Sequence, residues 1–331
     1  MKITITADEA EQRYDRFLRK YFKPYPEIKL ADIFARMRTG LIKVNGKKTP
    51  ENYRLQEGDV IVYDERVMVE KHPSSALVSK ETKKNTYPLE KITSMLLYED
   101  DNWLVRNKPA DMVVHPGNKH TTDMTLHDIL HAYLTQTDQQ PDSTTFTPSY
   151  CFRLDKDTSG VIIAAKTYDA LKYLNKLIRE RQTYKEYATR VVGTPPTYLD
   201  MQAPLFKGYA QRTGKGHTFV NHAKWLEART EAHLMETIEH PEIGPMSRLR
   251  IVLHTGRMHQ IRVHLADAGY PVLGDLTYGH PKTNRLLQKH LGITRQMLHC
   301  HQYEFFDPYL QKTHTFIAPL PDLFFISAVV Q

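Results

Sequence analysis

Residues 72 to 87, HPSSALVSKETKKNTY, interrupt the chain with a polar stretch that holds few large apolar side chains. Such a stretch contributes little to a packed core, so it predicts a linker between two folded parts. The 331 residues are enough for two domains. We therefore expect a first domain over residues 1–72, a linker over 73–90 and a second domain over 91–331.

The first domain holds almost all of the excess positive charge. From Arg13 to Lys48 there are eleven basic and three acidic residues, a net charge of +8, whereas the whole chain has a net charge of +7. A concentrated basic segment favours a polyanionic partner such as a nucleic acid. The side chains that we expect to contact it are Arg13, Arg16, Arg36, Arg38 and Lys43.

Apolar spacing in the first domain predicts two helices followed by two strands. Large apolar residues repeat at i, i+3, i+4 and i+7 from Tyr14 to Tyr21, and again from Leu30 to Met37, which is the spacing of amphipathic helices. Gly40 follows the second repeat as a C-terminal cap. The segments LIKVNGKK and LQEGDVIVY alternate as strands do and contain turn residues. The domain is therefore predicted to be a compact αα-ββ unit.

The pattern changes beyond residue 90. MLLYEDDNWLVRNKP predicts two strands around an acidic turn, and VIIAAK, YATRVVG and RLRIVLHTG predict further strands. Apolar residues from Ala170 to Ile178 mark a helix. Because strands and helices do not alternate regularly, we predict an α+β domain built on a mixed sheet.

Two segments of the second domain concentrate residues that could carry chemistry. CFRLDKDTSGVIIAAKT, residues 151 to 167, places Arg153 and Asp155 just before an uncharged strand. TGRMHQIRVHLADAGYPVLGDLTYG, residues 255 to 279, holds Arg257, His259, Gln260, Arg262 and His264 within eight positions. The first segment is either a polar turn that enters a strand or a catalytic carboxylate at the mouth of a pocket.

Several other kinds of site fit these residues poorly. His259 and His264 lack the HExxH spacing, and the HCH run at 299 to 301 lacks a second ligand pair, so we expect no metal. RTGKGHT, residues 212 to 218, is not GxxxxGK[ST], and we predict a flexible loop there. Asp155 and Asp157 are too close in sequence to face each other across a sugar. A serine nucleophile elbow is absent as well.

The chain carries no sign of export or membrane insertion. Its first residues, MKITITADEAEQRYDRF, lack an apolar signal core, and no window approaches eighteen consecutive apolar residues. The two cysteines, Cys151 and Cys300, form no CxxC pair. We expect a reduced, cytoplasmic, monomeric protein without membrane spans.

Five segments resemble the motifs of the RluA family of pseudouridine synthases, in that family's order. They are RNKPADMVVHPG, FRLDKDTSG, KEYATRVVG, TGRMHQIRVHLADAGYPVLGDLTYG and RQMLHCHQYEF, which together span roughly residues 92 to 320. RYDRFLRK and GLIKVNGKK in the first domain resemble an S4 RNA-binding domain. The resemblance implies a pseudouridine synthase catalytic domain behind an S4-like domain, a combination common among the members that act on ribosomal RNA.

The resemblance also implies roles for particular residues. Asp155 is expected to be the catalytic carboxylate, either attacking C1′ of the uridine or removing a C2′ proton, and Arg262 to be its partner. Tyr187 is expected to stack on the uracil and to accept the C5 proton. Arg153 is expected to fill the place of the base that leaves the RNA stack. Arg257, His259 and Gln260 are expected to contact the RNA as well. Because the reaction exchanges no electrons, no cofactor is expected.

Two departures from the family pattern stand beside these expectations. Phe152 occupies the place of the family's histidine before Arg-Leu-Asp, and Asp111 occupies the place of a glycine, where the backbone has to suit a side chain. The expected substrate is RNA, specifically 23S ribosomal RNA or a large-subunit precursor. A pseudouridine synthase that acts on tRNA is one alternative, and a non-catalytic RNA-binding assembly factor is another.

Overall fold

A computed structural model describes residues 1–63 except 24, 26, 27 and 29, and residues 88–115, 124–139, 146–209, 216–220 and 226–326. Among these, residues 1–63, 137–139, 146–148 and 166–169 form one compact unit, and the remaining described residues form a second. Most of the predicted linker lies outside the described residues. Of the predicted loop at 212–218, residues 216–218 belong to a strand, so the loop prediction is wrong for them.

The first unit contains two helices and a three-stranded sheet. The helices are α1 (Tyr14–Tyr21) and α2 (Leu30–Thr39), and the strands are β1 (Lys2–Thr4), β2 (Ile42–Val44) and β3 (Val60–Tyr63). Strand β3 lies between the other two and runs antiparallel to both. The predicted helices and the two predicted strands are present, and β1 is an additional strand that the sequence did not reveal.

The apolar stripes of the two helices build the core of this unit. Tyr14, Phe17 and Leu18 of α1 are buried, and so are Ile33 and Met37 of α2. Because these positions recur at helical spacing, each helix has one apolar face to bury and one polar face for water. The expectation for Leu30 is wrong, since it begins α2 on the exposed side, with 41% of its surface accessible.

Two turns predicted in this unit have the backbone that their residues favour. Gly40 follows α2 with φ of +76°, the left-handed conformation of a helix C-terminal cap. Asn45 and Gly46 follow β2 with φ of +51° and +72°. These are residues that adopt left-handed backbone at little cost, so both turns agree with the local sequence.

The second unit is built on one large mixed sheet. Its strands are ordered β4-β5-β7-β14-β8-β13-β12-β9, with β6 beside β7 and β15 beside β14. Neighbours are antiparallel except β7 and β14, which run parallel. The bounds are β4 Leu96–Glu99, β5 Trp103–Lys108, β6 Ser149–Tyr150, β7 Ser159–Ala165, β8 Tyr184–Val192, β9 Tyr198–Met201, β12 Thr230–His240, β13 Gly244–Leu253, β14 Leu298–Asp307 and β15 Lys312–Ile317. The mixed-sheet prediction is confirmed.

Helices and one ribbon complete this unit. The helices are α3 (Leu89–Thr93), α4 (Leu126–Gln136), α5 (Tyr168–Arg179), α6 (Gln260–Asp267) and α7 (Pro281–Leu291), and the ribbon joins β10 (Leu205–Tyr209) to β11 (Gly216–Val220). Helix α5 buries Ala170, Leu174 and Leu177, as its spacing predicted. In the described part of the chain, no helix has the length and apolar character needed to cross a bilayer.

Strand β7 passes through the middle of the sheet, and all seven of its residues are buried. Gly160 on this strand has φ of +112°, and a Cβ atom there would lie 2.1 Å from the Cys300 carbonyl oxygen of β14. Only glycine permits two backbones to approach so closely. The close approach fixes the path of the backbone that follows Asp155. Asp155 therefore has a defined position at the edge of the core.

Candidate active site

A cavity of about 650 Å³ opens in the second unit, and both charged segments identified in the sequence line it. Strand β6 contributes Tyr150, the loop that joins β6 to β7 contributes residues 151–156, and the turn ahead of α6 contributes residues 256–259. The strands β8 and β14 contribute Lys185, Tyr187 and Tyr303. Segments far apart in sequence thus meet around one concave, polar space, which is the usual form of a catalytic site.

Asp155 lies on the β6–β7 loop at the wall of this cavity, with 27% of its side chain exposed. The Thr158 backbone N–H donates to the Asp155 carbonyl oxygen at 3.1 Å, which closes a tight turn after the carboxylate. The carboxylate therefore faces the cavity from a backbone whose next residues are fixed by β7.

Arg262 is the direct partner of Asp155. It lies in the first turn of α6 with only 7% of its side chain exposed, and its Nη1 donates to Asp155 Oδ2 at 2.8 Å. Its Nε and Nη2 donate to Asp275 Oδ2 and Oδ1 at 2.6 and 2.9 Å. A planar guanidinium held on one edge by a bidentate carboxylate presents its remaining N–H in a fixed direction.

Asp275 is a site residue that the sequence analysis did not single out. Its side chain is fully buried and also accepts the backbone N–H groups of Thr277 and Tyr278 at 2.8 and 3.0 Å. Burial alone would raise the pKa of Asp275, but the hydrogen bonds and charge of Arg262 hold it below its ordinary value. The carboxylate is therefore ionised at neutral pH and anchors the arginine. The GDLTYG end of the second motif was the available signal.

Gln260 supports the turn that carries Arg257. It is 2% exposed, and its Oε1 accepts the Thr255 hydroxyl at 2.8 Å and the Arg257 backbone N–H at 3.0 Å. Its Nε2 donates to the Arg229 carbonyl and the Thr230 hydroxyl, both at 3.0 Å. The amide thus has no bonding capacity left for the RNA contact expected of it, and its burial favours a supporting role.

His259 stands directly ahead of α6 with φ of +57° and lines the cavity. Its Nδ1 lies 2.9 Å from the Tyr278 hydroxyl, and its Nε2 lies 3.8 Å from Asp155 Oδ2. The left-handed backbone is one that histidine adopts more readily than most residues. The imidazole therefore borders the same carboxylate as Arg262, a proximity that the motif spacing did not reveal.

Lys108 holds the loop that carries Asp155, a role that the sequence did not indicate. Its ammonium donates to the carbonyl oxygens of Pro109, Met112 and Lys156 at 2.8, 2.7 and 2.8 Å. The side chain is fully buried, and burial lowers its pKa to about 7. One lysine thus joins the Asn-Lys-Pro turn to the residue that follows Asp155.

Asp111, which replaces a family glycine, adopts φ of +63°. Aspartate tolerates this left-handed conformation because its short side chain can bond locally. Its carboxylate lies 2.9 Å from the Lys156 ammonium, although both groups are largely exposed. The departure from glycine therefore leaves the turn intact and adds a surface ion pair to the residue next to Asp155.

Tyr187 lies on β8 and lines the cavity with 6% of its surface exposed. Burial raises the pKa of its phenol well above the ordinary value, and a hydrogen bond with the Cys300 thiol adds to the effect. The phenol is therefore protonated at neutral pH. Its position suits a stacking or hydrogen-bonding role, whereas accepting the C5 proton would require an ionisation that its surroundings oppose.

Three other residues of the two charged segments line the cavity wall. Arg153 and Arg257 are exposed and line the cavity, and Arg257 Nε donates to the Glu227 carbonyl at 3.2 Å. Phe152 stacks on Tyr303 with ring centroids 4.8 Å apart and planes 12° apart. The phenylalanine that replaces the family's histidine is therefore part of an aromatic wall.

The basic residues expected to bind RNA in the first unit differ in exposure. Arg16, Arg38 and Lys43 are exposed, and Arg36 is partly buried. Arg13 donates from Nε and Nη2 to the Asp15 carboxylate at 3.0 and 2.9 Å. Its charge is therefore partly compensated, and the three exposed side chains are the more available cations of this set.

Among the described residues, one group has ligand atoms close enough for a metal: Asp100, Asp307 and His314. Asp307 already accepts Trp103 Nε1 at 2.9 Å and pairs with His314 Nε2 at 2.8 Å. Asp100 accepts the backbone N–H groups of Asn102 and Trp103. These bonds account for the cluster as a structural network, and the group does not line the cavity.

Comparisons with known proteins identify a family and relatives that match nearly the whole chain. A family model described as RNA pseudouridylate synthase matches residues 102–267. The ribosomal large subunit pseudouridine synthase C of Buchnera aphidicola subsp. Baizongia pistaciae is 32% identical over 334 residues, covering 97% of this chain and 94% of the relative. The protein of the same name from Escherichia coli strain K12 is 31% identical over 325 residues, covering 97% and 93%.

A solved structure shares the fold as well. Human RNA pseudouridylate synthase domain containing 4 is 25% identical, with a TM-score of 0.55, and the match covers 71% of this chain and 92% of the human one. Human RNA pseudouridylate synthase domain containing 1, at 24% identity and a TM-score of 0.53, covers 69% and 85%.

Proposed function

The chain belongs to the RNA pseudouridylate synthase family, and on that premise we propose that it converts uridines of large-subunit ribosomal RNA to pseudouridine with Asp155 as its catalytic carboxylate. The protein is accordingly an isomerase that acts on RNA.

The reaction moves a uracil from one attachment to another. The N1–C1′ bond breaks and its electron pair leaves with the uracil, which turns so that C5 bonds to C1′. The C5 proton then passes to water and N1 takes up a proton from water, so that reactant and product contain the same atoms. A single ionised carboxylate suffices, either by attacking C1′ or by removing a C2′ proton, because uracil leaves as a fairly stable anion and needs no second carboxylic acid. Reactant and product are isomers, so no redox cofactor takes part.

The observation that carries the proposal is the pairing of Asp155 with Arg262 at the cavity wall. The Arg262 N–H donates to one oxygen of the Asp155 carboxylate at 2.8 Å, which orients the carboxylate and leaves its second oxygen for the sugar. Asp275 prevents the guanidinium from turning away, so the geometry persists without a bound substrate.

The surrounding residues supply the remaining requirements. The target uridine has to leave its stack to reach a carboxylate inside a cavity. Arg153, exposed two residues before Asp155, is placed to occupy the vacated position in the RNA. Tyr187 offers a flat aromatic surface inside the cavity on which the uracil can lie.

Large-subunit ribosomal RNA is the proposed substrate because the relatives that match nearly the whole chain carry that substrate in their names. The basic first unit supports a large, highly charged RNA, since Arg16, Arg38 and Lys43 are exposed for phosphates. A tRNA substrate is the second candidate for the same chemistry. A non-catalytic assembly factor is disfavoured by the complete Asp155–Arg262–Asp275 arrangement.

The test is to map pseudouridines in the ribosomal and transfer RNA of a strain of the source organism that lacks this gene. We expect one or more 23S positions to lose the modification, the wild-type gene to restore it, and the Asp155→Asn gene, expressed at the same level, to leave it absent. Loss confined to tRNA would contradict the proposed substrate. An unchanged map in both RNAs would contradict the proposed function.

A monomeric state and a cytoplasmic location complete the proposal. Both cysteines are free, with Cys300 buried and Cys151 partly buried, as suits a reducing compartment. Light scattering and cell fractionation test the two points.

A further inference from the structure

The cavity contains a buried cation that the proposed mechanism does not use. Lys185 lies on β8, two residues before Tyr187, and is 8% exposed. Residues two apart on a strand face the same side, so both side chains reach the cavity wall. Tyr184 and Glu186 face the other side, where the tyrosine hydroxyl donates to the glutamate at 2.7 Å.

Within the part of the chain that the structure describes, the Lys185 ammonium makes no hydrogen bond or ion pair. Its partner across the sheet is Tyr303 of β14, and Cys300 of the same strand is the titratable group that acts on it electrostatically. Burial lowers the pKa of Lys185, as expected for a cation that lacks a carboxylate. Lysine is rarely buried without a partner, so a buried lysine in a catalytic cavity indicates an anionic ligand.

The other cations of the cavity wall are already engaged or exposed. Arg262 is held by Asp155 and Asp275. Arg153, Lys156 and Arg257 are exposed, and Lys156 pairs with Asp111. Among the described lysines and arginines that line the cavity, Lys185 is therefore the buried one that remains available.

The reaction itself generates an anion inside this space. When the N1–C1′ bond breaks, its electron pair stays on the uracil, whose ring carries a full negative charge until C5 bonds to C1′. We propose that the Lys185 ammonium binds this uracil anion and thereby stabilises the leaving group. The lysine keeps its proton throughout, and the C5 proton leaves only after the new bond has formed. This inference rests on the proposed function of the cavity.

We expect the Lys185 ammonium to act as a preorganised donor directed at the negative charge that develops on the uracil. Removal of one such donor typically lowers kcat by about 10²–10³-fold. We expect Lys185→Met, which keeps the length and the apolar stem, to lower the single-turnover rate on a uridine-containing RNA by about 100-fold. Lys176→Met, at an exposed lysine on α5, is the matched control and should leave the rate unchanged.

A second substrate separates charge stabilisation from a merely structural role. In RNA with 5-fluorouridine at the target position, the electron-withdrawing fluorine itself stabilises the uracil anion. The Lys185→Met defect, followed by mass spectrometry of the digested RNA as loss of 5-fluorouridine, should then shrink to about 10-fold or less. A structural defect would slow both substrates equally.

If Lys185→Met does not fold, as judged by its thermal unfolding, Lys185→Gln is measured on the same two RNAs with the same expectation. Equal defects on the two substrates, or full activity of the neutral variant on uridine, would overturn the inference while the proposed function stands. If the wild-type protein forms no pseudouridine, the proposed function fails and the inference fails with it.

Discussion

Arg262 and Asp155 are joined by one hydrogen bond of 2.8 Å, although the guanidinium could offer two. The guanidinium edge formed by Nε and Nη2 is unavailable to Asp155, because both of these nitrogens donate to Asp275. The arrangement gives the two carboxylates different tasks. The buried Asp275 orients the arginine, and the partly exposed Asp155 keeps one oxygen directed at the cavity.

Replacement of Arg262 by lysine should lower activity strongly even though the charge is kept. A lysine ammonium is a point donor and cannot bind Asp275 through two parallel bonds while it aims a third at Asp155. We expect kcat to fall by about 100-fold or more, with little change in RNA affinity. Arg285→Lys, at an exposed arginine of α7, is the control. Wild-type kcat in Arg262→Lys would contradict the positioning role.

Replacement of Asp275 by asparagine should destabilise the protein in a pH-dependent way. Because Arg262 depresses the pKa of Asp275, its stabilising effect is fully present above the unfolded value of about 4 and is lost as pH falls through the folded value. We expect a loss of about 3–5 kcal/mol in the free energy of unfolding at pH 7.

The difference between the wild-type protein and Asp275→Asn should narrow below about pH 4, as measured by urea unfolding across a pH series. A difference that stays constant from neutral to acid pH would show that the charge of Asp275 does not provide the stabilisation.

Replacement of Lys108 by methionine should also cost stability. The change keeps the length of the side chain but leaves the carbonyl oxygens of Pro109, Met112 and Lys156 without their donor. Each buried carbonyl oxygen left without a donor lowers the free energy of unfolding by about 1–3 kcal/mol. Removal of the buried ammonium charge offsets part of that loss. We expect a net loss of about 2–4 kcal/mol, against less than about 0.5 kcal/mol for the exposed Lys282→Met. Equal stability of both variants in urea would contradict this role of Lys108.

The first unit should bind RNA through phosphates. Replacing Arg16 and Arg38 together by glutamine should weaken binding and reduce the slope of log K against log salt, by about 0.9 for each phosphate of a duplex region that the protein no longer neutralises. Lys176 and Lys289, exposed in the second unit, provide a control double variant with the same change in net charge. Equal slopes for the two double variants would show that Arg16 and Arg38 are only solvated and do not contact RNA phosphates.

The sequence predicted correctly those elements whose structure depends mainly on their own residues. The amphipathic repeats of α1, α2 and α5 predicted their buried faces, apart from Leu30 at the start of α2. Strand β1 was missed because three residues, Lys2–Thr4, are too few to show an alternating pattern. Its existence depends on pairing with β3, which lies some sixty positions later in the chain.

The residues of the site divide in the same way, into those that the local sequence indicates and those whose surroundings come from distant segments. Asp155 and Arg262 stand in dense charged motifs, and those motifs drew attention to both. Lys108 and Lys185 stand in the quoted motifs RNKPADMVVHPG and KEYATRVVG, but the motifs do not show what each lysine contacts. Those surroundings are carbonyl oxygens and a cavity to which distant segments contribute. Gln260 stood in the same motif as Arg262, yet the fold turns its amide into the protein.

The central claim is that Asp155 is the catalytic carboxylate, and a comparison of Asp155→Asn with Asp157→Asn tests it most directly. Both residues are aspartates and they are two positions apart, but of the two only Asp155 lines the cavity and contacts Arg262. The measurement is single-turnover formation of pseudouridine in large-subunit RNA, with RNA affinity determined for each variant. We predict that Asp155→Asn binds RNA but forms no pseudouridine, while Asp157→Asn stays within about tenfold of the wild-type rate. Product formation by Asp155→Asn at the wild-type rate would contradict the claim.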